Sequence, residues 1–121
     1  MYYVRVEADF AAAHFLSHYR GKCERLHGHN YRVRAWAKGE RLGEGGMLLD
    51  FGELKAALRQ VVGELDHRNL NDFPAFADDP SAERIARHVF DGIVSILPEA
   101  PLHAVEVFET PTSMARYEGG D

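Results

Sequence analysis

The stretch YYVRVEADFAAAH, residues 2–14, carries the clearest structural pattern of the chain. Apolar side chains hold its even positions from Tyr2 to Ala12, whereas Arg5, Glu7 and Asp9 hold odd positions. An alternation with a period of two predicts a strand that buries one face. His14 has the parity of the apolar set, so we expect its side chain on the buried face at the end of this strand.

A second alternating stretch, HGHNYRVRAWAK, occupies residues 27–38. Its apolar positions run from Tyr31 to Ala37, and His27 and His29 share their parity. If the two strands pair antiparallel, the end of the first meets the start of the second, which brings His14 to the other two histidines. A single β-bulge would undo this arrangement, because it would turn the side chains to the other face.

The rest of the chain predicts helices that are separate from the strands. We expect a short strand at Met47–Leu49 and a helix that Asp50 caps, with Glu53 completing a capping box. A polar loop at 66–74, a helix from Pro80 or Ser81 to Pro98, and strands at 103–109 and 113–117 follow. The order ββααββ predicts an α+β domain with a four-stranded antiparallel sheet. The exposed sheet edges favour assembly into a ring.

Composition bounds the function. The 121 residues, 45% hydrophobic and 27% charged, predict one globular domain over residues 1–121. The net charge is −5 and no basic block is present, which argues against a nucleic-acid partner. Cys23 is the only cysteine, so an intrachain disulfide is excluded and a reducing cytoplasm is the expected setting. No signal peptide or membrane-spanning stretch is recognisable, so no membrane partner is expected.

The three histidines of the two strands form a candidate metal site. Three neutral imidazoles with an open fourth position are the ligand set of a catalytic zinc ion, Zn²⁺. Cys23, four residues before His27, is then a candidate base or nucleophile that the metal's charge would activate. The alternatives are a core histidine at position 14, a metal-free histidine pair on a strand, an inert thiol, or His18 as a replacement ligand.

Two further positions carry carboxylates that could do chemistry. Asp66 and His67 are either a loop pair that caps helix ends or a carboxylate that holds a histidine in one tautomer for proton transfer. Glu109 lies at the end of a strand, where a carboxylate is usually solvated. A buried carboxylate there would suit a ligand with paired N–H donors, such as the edge of a guanidine-like heterocycle.

Five motifs, in order, resemble one protein family: AAHFL at 12–16, CERLHGHNY at 23–31, LDFGELK at 49–55, LDHRNLND at 65–72 and Glu109-Thr110. The chain is identified as a member of the 6-pyruvoyltetrahydropterin synthase family and is most similar to its bacterial 6-carboxytetrahydropterin synthase branch. The resemblance extends from His14 to Tyr117.

This resemblance implies a tunnelling fold (T-fold), with two helices on one face of a four-stranded sheet. It also implies a homo-oligomer, a hexamer of two trimers, with active sites at subunit interfaces. The implied reaction converts 7,8-dihydroneopterin triphosphate to 6-carboxy-5,6,7,8-tetrahydropterin, with release of acetaldehyde and triphosphate, in queuosine biosynthesis.

The resemblance also implies a role for each site residue. His14, His27 and His29 would hold Zn²⁺, which acidifies the hydroxyls of the substrate side chain. Cys23 would be the general base, and Asp66 with His67 would relay protons, from a neighbouring subunit. The residues implied to contact the pterin are Glu109, at its amino-pyrimidine edge, and Ser81.

The chain departs from the family at one position and leaves two other functions open. Ala82 lacks a hydroxyl that many relatives have after the position of Ser81, which puts a substrate contact in doubt. The same residues would also serve a 6-pyruvoyltetrahydropterin synthase, which retains the three-carbon side chain. A pterin-binding protein with a structural zinc is the non-enzymatic alternative. Three histidines would accept other transition metals as well.

Overall fold

A computed structural model describes residues 1–14 and 26–119, with His27 described by its backbone alone. Within these residues the chain forms two helices and one five-stranded sheet. The strands are β1 (Tyr2–His14), β2 (His27–Gly39), β3 (Arg68–Asn69), β4 (Leu102–Thr110) and β5 (Ser113–Glu118). The helices are α1 (Phe51–Gly63) and α2 (Ala82–Ile96).

The first two strands pair as their alternation predicts. β1 and β2 are antiparallel, and their register runs without irregularity from Tyr2 opposite Gly39 to His14 opposite His27. Phe10, Ala12 and His14 are buried on the face that meets the helices. The bulge that would have separated the histidines is absent from this strand pair, because its partners follow one register throughout.

The sheet has one strand more than predicted, in the order β3-β1-β2-β4-β5. The extra strand β3 lies in the predicted polar loop and pairs parallel to β1, with Arg68 opposite Ala12 and Asn69 opposite Ala13. It has only two residues, so no alternation in the sequence could indicate it. The prediction of four strands was therefore wrong by this one short strand, while the α+β class is confirmed.

The strand predicted at Met47–Leu49 was also wrong. The chain there forms a 3-10 turn at Glu44–Gly46 followed by bends. Leu48 and Leu49 still pack against the core, partly buried. Their apolar character therefore reflects packing against the hydrophobic core rather than a place in the sheet.

α1 begins directly after its predicted cap, Asp50, and α2 begins after Ser81, one of its two predicted starting points. The Asp50 carboxylate accepts a hydrogen bond from the Gly52 N–H at 2.7 Å, and the Ser81 hydroxyl accepts one from the Arg84 N–H at 3.2 Å. Each cap satisfies a backbone donor that has no partner inside the helix. Both helices cover the same face of the sheet and share one hydrophobic core with it. Among the described residues, no helix is long and apolar enough to cross a membrane.

Candidate functional site

The site lies at one end of the sheet, where β1 ends, β2 begins and β4 ends. His14, His29 and Glu109 each offer a ligating atom there, and these atoms lie within 4.8 Å of one another. The two imidazole rings meet edge to face, with 4.9 Å between their centroids. His14 is only 3% exposed, so the cluster is sheltered from water on that side. Two imidazoles and a carboxylate at this spacing can hold a transition metal ion.

His27, the third predicted metal ligand, has its backbone at the expected position in the strand pair. His27 lies opposite His14 in the strand pair, two residues from His29. Side chains two residues apart leave a strand on the same face. The side chain of His27 lies outside the described part of the structure, as do Cys23 and the alternative ligand His18.

His14 is held from two sides. Its Nδ1 atom lies 3.0 Å from the carbonyl oxygen of Pro80, just before α2, and 2.9 Å from the hydroxyl of Tyr31 on β2. Tyr31 is fully buried and stacks on Phe10, with 4.7 Å between the ring centroids. Burial, and to a lesser extent the negative charge of Glu109, raises the pKa of the Tyr31 hydroxyl.

Sequence reasoning missed the roles of Tyr31 and Pro80. The alternation places Tyr31 on the apolar face, where it predicts only that the aromatic ring is part of the core. The available signal was its hydroxyl, two residues after His29 on the same face, because a buried tyrosine hydroxyl usually has a hydrogen-bond partner. The contact of Pro80 uses a backbone carbonyl, which the sequence cannot indicate.

Asp66 and His67 lie on the outer edge of β1 rather than on its buried face. One carboxylate oxygen of Asp66 accepts a hydrogen bond from the Ala11 N–H at 2.9 Å, and the other lies 3.0 Å from Nδ1 of His67. The His67 N–H donates to the Ala11 carbonyl at 2.6 Å. The Ala11 N–H, and after it the contacts with His67, hold the pKa of the Asp66 carboxyl below its ordinary value.

His67 presents its ring away from the protein. Its side chain is 82% exposed, and its backbone φ of 58° lies in the left-handed region, which non-glycine residues rarely adopt. His67 and His29 line one open cavity of about 490 Å³. Pockets for small molecules commonly have volumes of this order. Such strained conformations concentrate at functional sites.

Ser81 and Ala82 have local structural roles. The Ser81 hydroxyl caps α2, and the neighbouring carbonyl of Pro80 contacts His14, so Ser81 lies close to the cluster. Ala82 is buried in the hydrophobic core. A hydroxyl of the kind expected at position 82 would therefore lie at a position that packs inside the protein.

Known proteins resemble this chain over most of its length. The family model described as 6-pyruvoyl tetrahydropterin synthase matches residues 3–120. The chain belongs to this family. A relative from Synechocystis sp., named 6-carboxy-5,6,7,8-tetrahydropterin synthase, is 45% identical over 97% of this chain and 93% of its own length. The 6-pyruvoyl tetrahydrobiopterin synthase of Homo sapiens is 36% identical over 82% of this chain and 72% of its own length.

A solved structure supports the fold assignment. The 6-pyruvoyl tetrahydropterin synthase of Caenorhabditis elegans superposes with a TM-score of 0.81 at 32% identity, and the match covers 99% of this chain and 98% of that one. The tunnelling fold expected from the sequence is thus confirmed, with the fifth short strand as an addition. Membership in a family of pterin synthases makes the chain an enzyme of that family.

Proposed function

We propose that the protein is a zinc-dependent lyase that converts 7,8-dihydroneopterin triphosphate to 6-carboxy-5,6,7,8-tetrahydropterin. Acetaldehyde and triphosphate would be the other products, and the reaction would serve queuosine biosynthesis. The observation that carries the proposal is the partly buried cluster of His14, His29 and Glu109 in a chain that is 45% identical to a 6-carboxy-5,6,7,8-tetrahydropterin synthase.

The residues present fit a zinc ion. Imidazole nitrogens and a carboxylate oxygen are ordinary zinc ligands, and the ligating atoms of the cluster are close enough to share one ion. We assign the ligand positions to His14, His27 and His29. When bound, zinc would polarise the hydroxyls of the substrate side chain and lower their pKa values.

We assign proton transfer to two groups. Cys23 would act as the general base that takes the proton from the first carbon of the substrate side chain. Asp66 would accept the Nδ1–H of His67 in a hydrogen bond, which leaves Nε2 of the ring to exchange protons with the substrate. Because that ring is 82% exposed at the outer edge of the sheet, it is well placed to serve the site of a neighbouring subunit.

Glu109 and Ser81 are proposed substrate contacts. A carboxylate accepts two hydrogen bonds from the amino-pyrimidine edge of a pterin. The position of Glu109 beside two histidines allows a second role, as a metal ligand. The variant Glu109→Gln separates the two: a raised KM with unchanged metal affinity supports the substrate contact, and lost metal supports ligation. The Ser81 hydroxyl accepts a hydrogen bond as a helix cap and still has a proton to donate.

We propose that the subunits assemble in the cytoplasm as a hexamer of two trimers. The support is that β5 ends the sheet on one side and that, among the described residues, β1 is paired on the other side at only Ala12 and Ala13. Open edges of this kind pair readily with a second copy. Light scattering coupled to gel filtration tests the number of subunits, and a monomer would contradict the assembly.

Incubation of the zinc-loaded protein with 7,8-dihydroneopterin triphosphate tests the activity. We expect a 6-carboxy product with stoichiometric acetaldehyde, measured by mass spectrometry and an aldehyde assay. The similarity to the human enzyme favours one alternative, 6-pyruvoyltetrahydropterin synthase, which would yield a product that retains the three-carbon side chain. No turnover from folded, metal-loaded protein would leave a pterin-binding protein with a structural zinc.

A further inference from the structure

One nitrogen atom of His14 faces two oxygen atoms. Nδ1 lies 3.0 Å from the Pro80 carbonyl oxygen and 2.9 Å from the Tyr31 hydroxyl oxygen. His14 and Pro80 are both buried, and Tyr31 has no exposed surface. These contacts join the end of β1 to β2 and to the start of α2.

The chemistry of the two oxygens selects one tautomer of the imidazole. A carbonyl oxygen can only accept a hydrogen bond, whereas a tyrosine hydroxyl can donate or accept. If Nδ1 carried the lone pair, it would face the Pro80 carbonyl as a second acceptor, and the buried carbonyl would lose this hydrogen bond at a cost in free energy. Nδ1 therefore carries the proton, and the hydroxyl of Tyr31 accepts a share of the same N–H. A neutral imidazole protonated at Nδ1 has its lone pair on Nε2.

Both oxygens are held in place. The ring of Tyr31 is stacked on Phe10 and meets the ring of His14 nearly edge-on, at 80°. The turn that carries Pro80 is fixed by Arg84, whose guanidinium donates to the Phe76 carbonyl at 2.7 Å. Neither oxygen can follow a rotating imidazole without disturbing packed groups.

We propose that Tyr31, with the Pro80 carbonyl, is a positioning residue that fixes His14 in the Nδ1–H tautomer and so presents Nε2 to the metal. The inference rests on the proposed metal site but not on the lyase reaction. A hydrogen bond to the second nitrogen of a metal-binding histidine orients the ring and makes it a better ligand. Loss of such partners typically weakens metal binding by roughly 10- to 100-fold.

The variant Tyr31→Phe tests the proposal because it removes the hydroxyl and keeps the stacked ring. We expect its dissociation constant for Zn²⁺, measured by chelator competition, to rise by roughly tenfold or more. The matched control is Tyr117→Phe: Tyr117 packs on Phe90 and Arg87, outside the cluster, and we expect no change in its metal affinity. Equal affinities for wild type, Y31F and Y117F would overturn the proposal.

A second measurement needs neither activity nor a variant. Nitrogen-15 NMR of the metal-free protein reports which nitrogen of His14 carries the proton. We expect the proton on Nδ1, and a lone pair on Nδ1 would overturn the proposal even if Y31F failed to fold. If the protein binds zinc as expected but lacks turnover, only the lyase assignment is contradicted. A failure of the proposed function can therefore be told apart from a failure of the proposed role of Tyr31.

Discussion

Two histidines near the end of β1 have opposite surroundings. His14 is 3% exposed and is held by Tyr31 and the Pro80 carbonyl, whereas the side chain of His67 is 82% exposed and contacts Asp66. A buried, doubly held imidazole suits a ligand that must not move. An exposed imidazole with a carboxylate behind it suits a group that gains and loses protons. The comparison teaches that one strand end can hold an imidazole firmly on its buried face and expose another at its edge.

Removal of His67 should give the largest effect on the rate. The variant His67→Ala removes the proposed general acid–base group, so we expect kcat to fall by about 10²- to 10⁴-fold. Metal affinity should stay at the wild-type value, since this ring lies outside the cluster. Steady-state kinetics with the metal content measured on the same sample checks both statements. A loss of metal in H67A would contradict the proposal that His14 binds the metal while His67 only transfers protons.

Removal of His14 should give the largest effect on the metal. Structural zinc sites with four ligands bind with about 10–16 kcal/mol, so one ligand contributes roughly 3 kcal/mol, or about a hundredfold in affinity. We expect His14→Ala to weaken zinc binding by at least this factor in a chelator competition assay. Circular dichroism must show that the variant is folded. Folded H14A with wild-type affinity would exclude His14 as a ligand.

Ser81 tests how much the cap at the start of α2 contributes to stability. Ser81→Ala removes the cap on the Arg84 N–H, and we expect a loss of about 1 kcal/mol of unfolding free energy. Ser81→Asp retains an acceptor at the cap and should restore most of that stability. Chemical denaturation of both variants measures the effect. An unchanged stability in S81A would show that the cap contributes nothing to the helix.

The Asp66 carboxyl should give the smallest effect on stability, and this effect should appear only in acid. Its pKa is held below the ordinary value of 3.8, so its stabilisation is fully present above that pH and is lost as the pH falls through the lowered pKa. Asp66→Asn keeps an oxygen for the Ala11 N–H but has no charge to titrate. We expect the stability of the wild type to fall more steeply than that of D66N as the pH falls below 3.8. If the wild type and D66N lost stability equally as the pH fell, the lowered pKa of Asp66 would be contradicted.

The alternating patterns of β1 and β2 predict where the buried histidine of this comparison, His14, lies. The parity of His14 and His29 and an unbulged register suffice to place both rings at one end of the buried face. The family resemblance implies only that Glu109 contacts the edge of the pterin. Its place beside the histidines follows from β4 pairing antiparallel with β2, and the alternation within single strands does not reveal which strands are neighbours.

The position of His67 and the orientation of His14 depend on contacts that leave no periodic pattern in the sequence. The edge position of Asp66 and His67 comes from a two-residue parallel strand and from hydrogen bonds to the backbone of Ala11. The orientation of His14 depends on the carbonyl of Pro80, 66 residues away in the chain. Backbone groups are common to almost all residues, so the sequence does not distinguish the one that makes such a contact.

The metal content of three proteins purified and zinc-loaded in the same way tests the central claim most directly. The comparison is between wild type, His14→Ala and His67→Ala, by inductively coupled plasma mass spectrometry after dialysis against a weak chelator. We predict about one zinc ion per chain in wild type and in H67A, and little or none in H14A. Retention of zinc by H14A, or its loss from H67A, would contradict the division of roles between the buried and the exposed histidine.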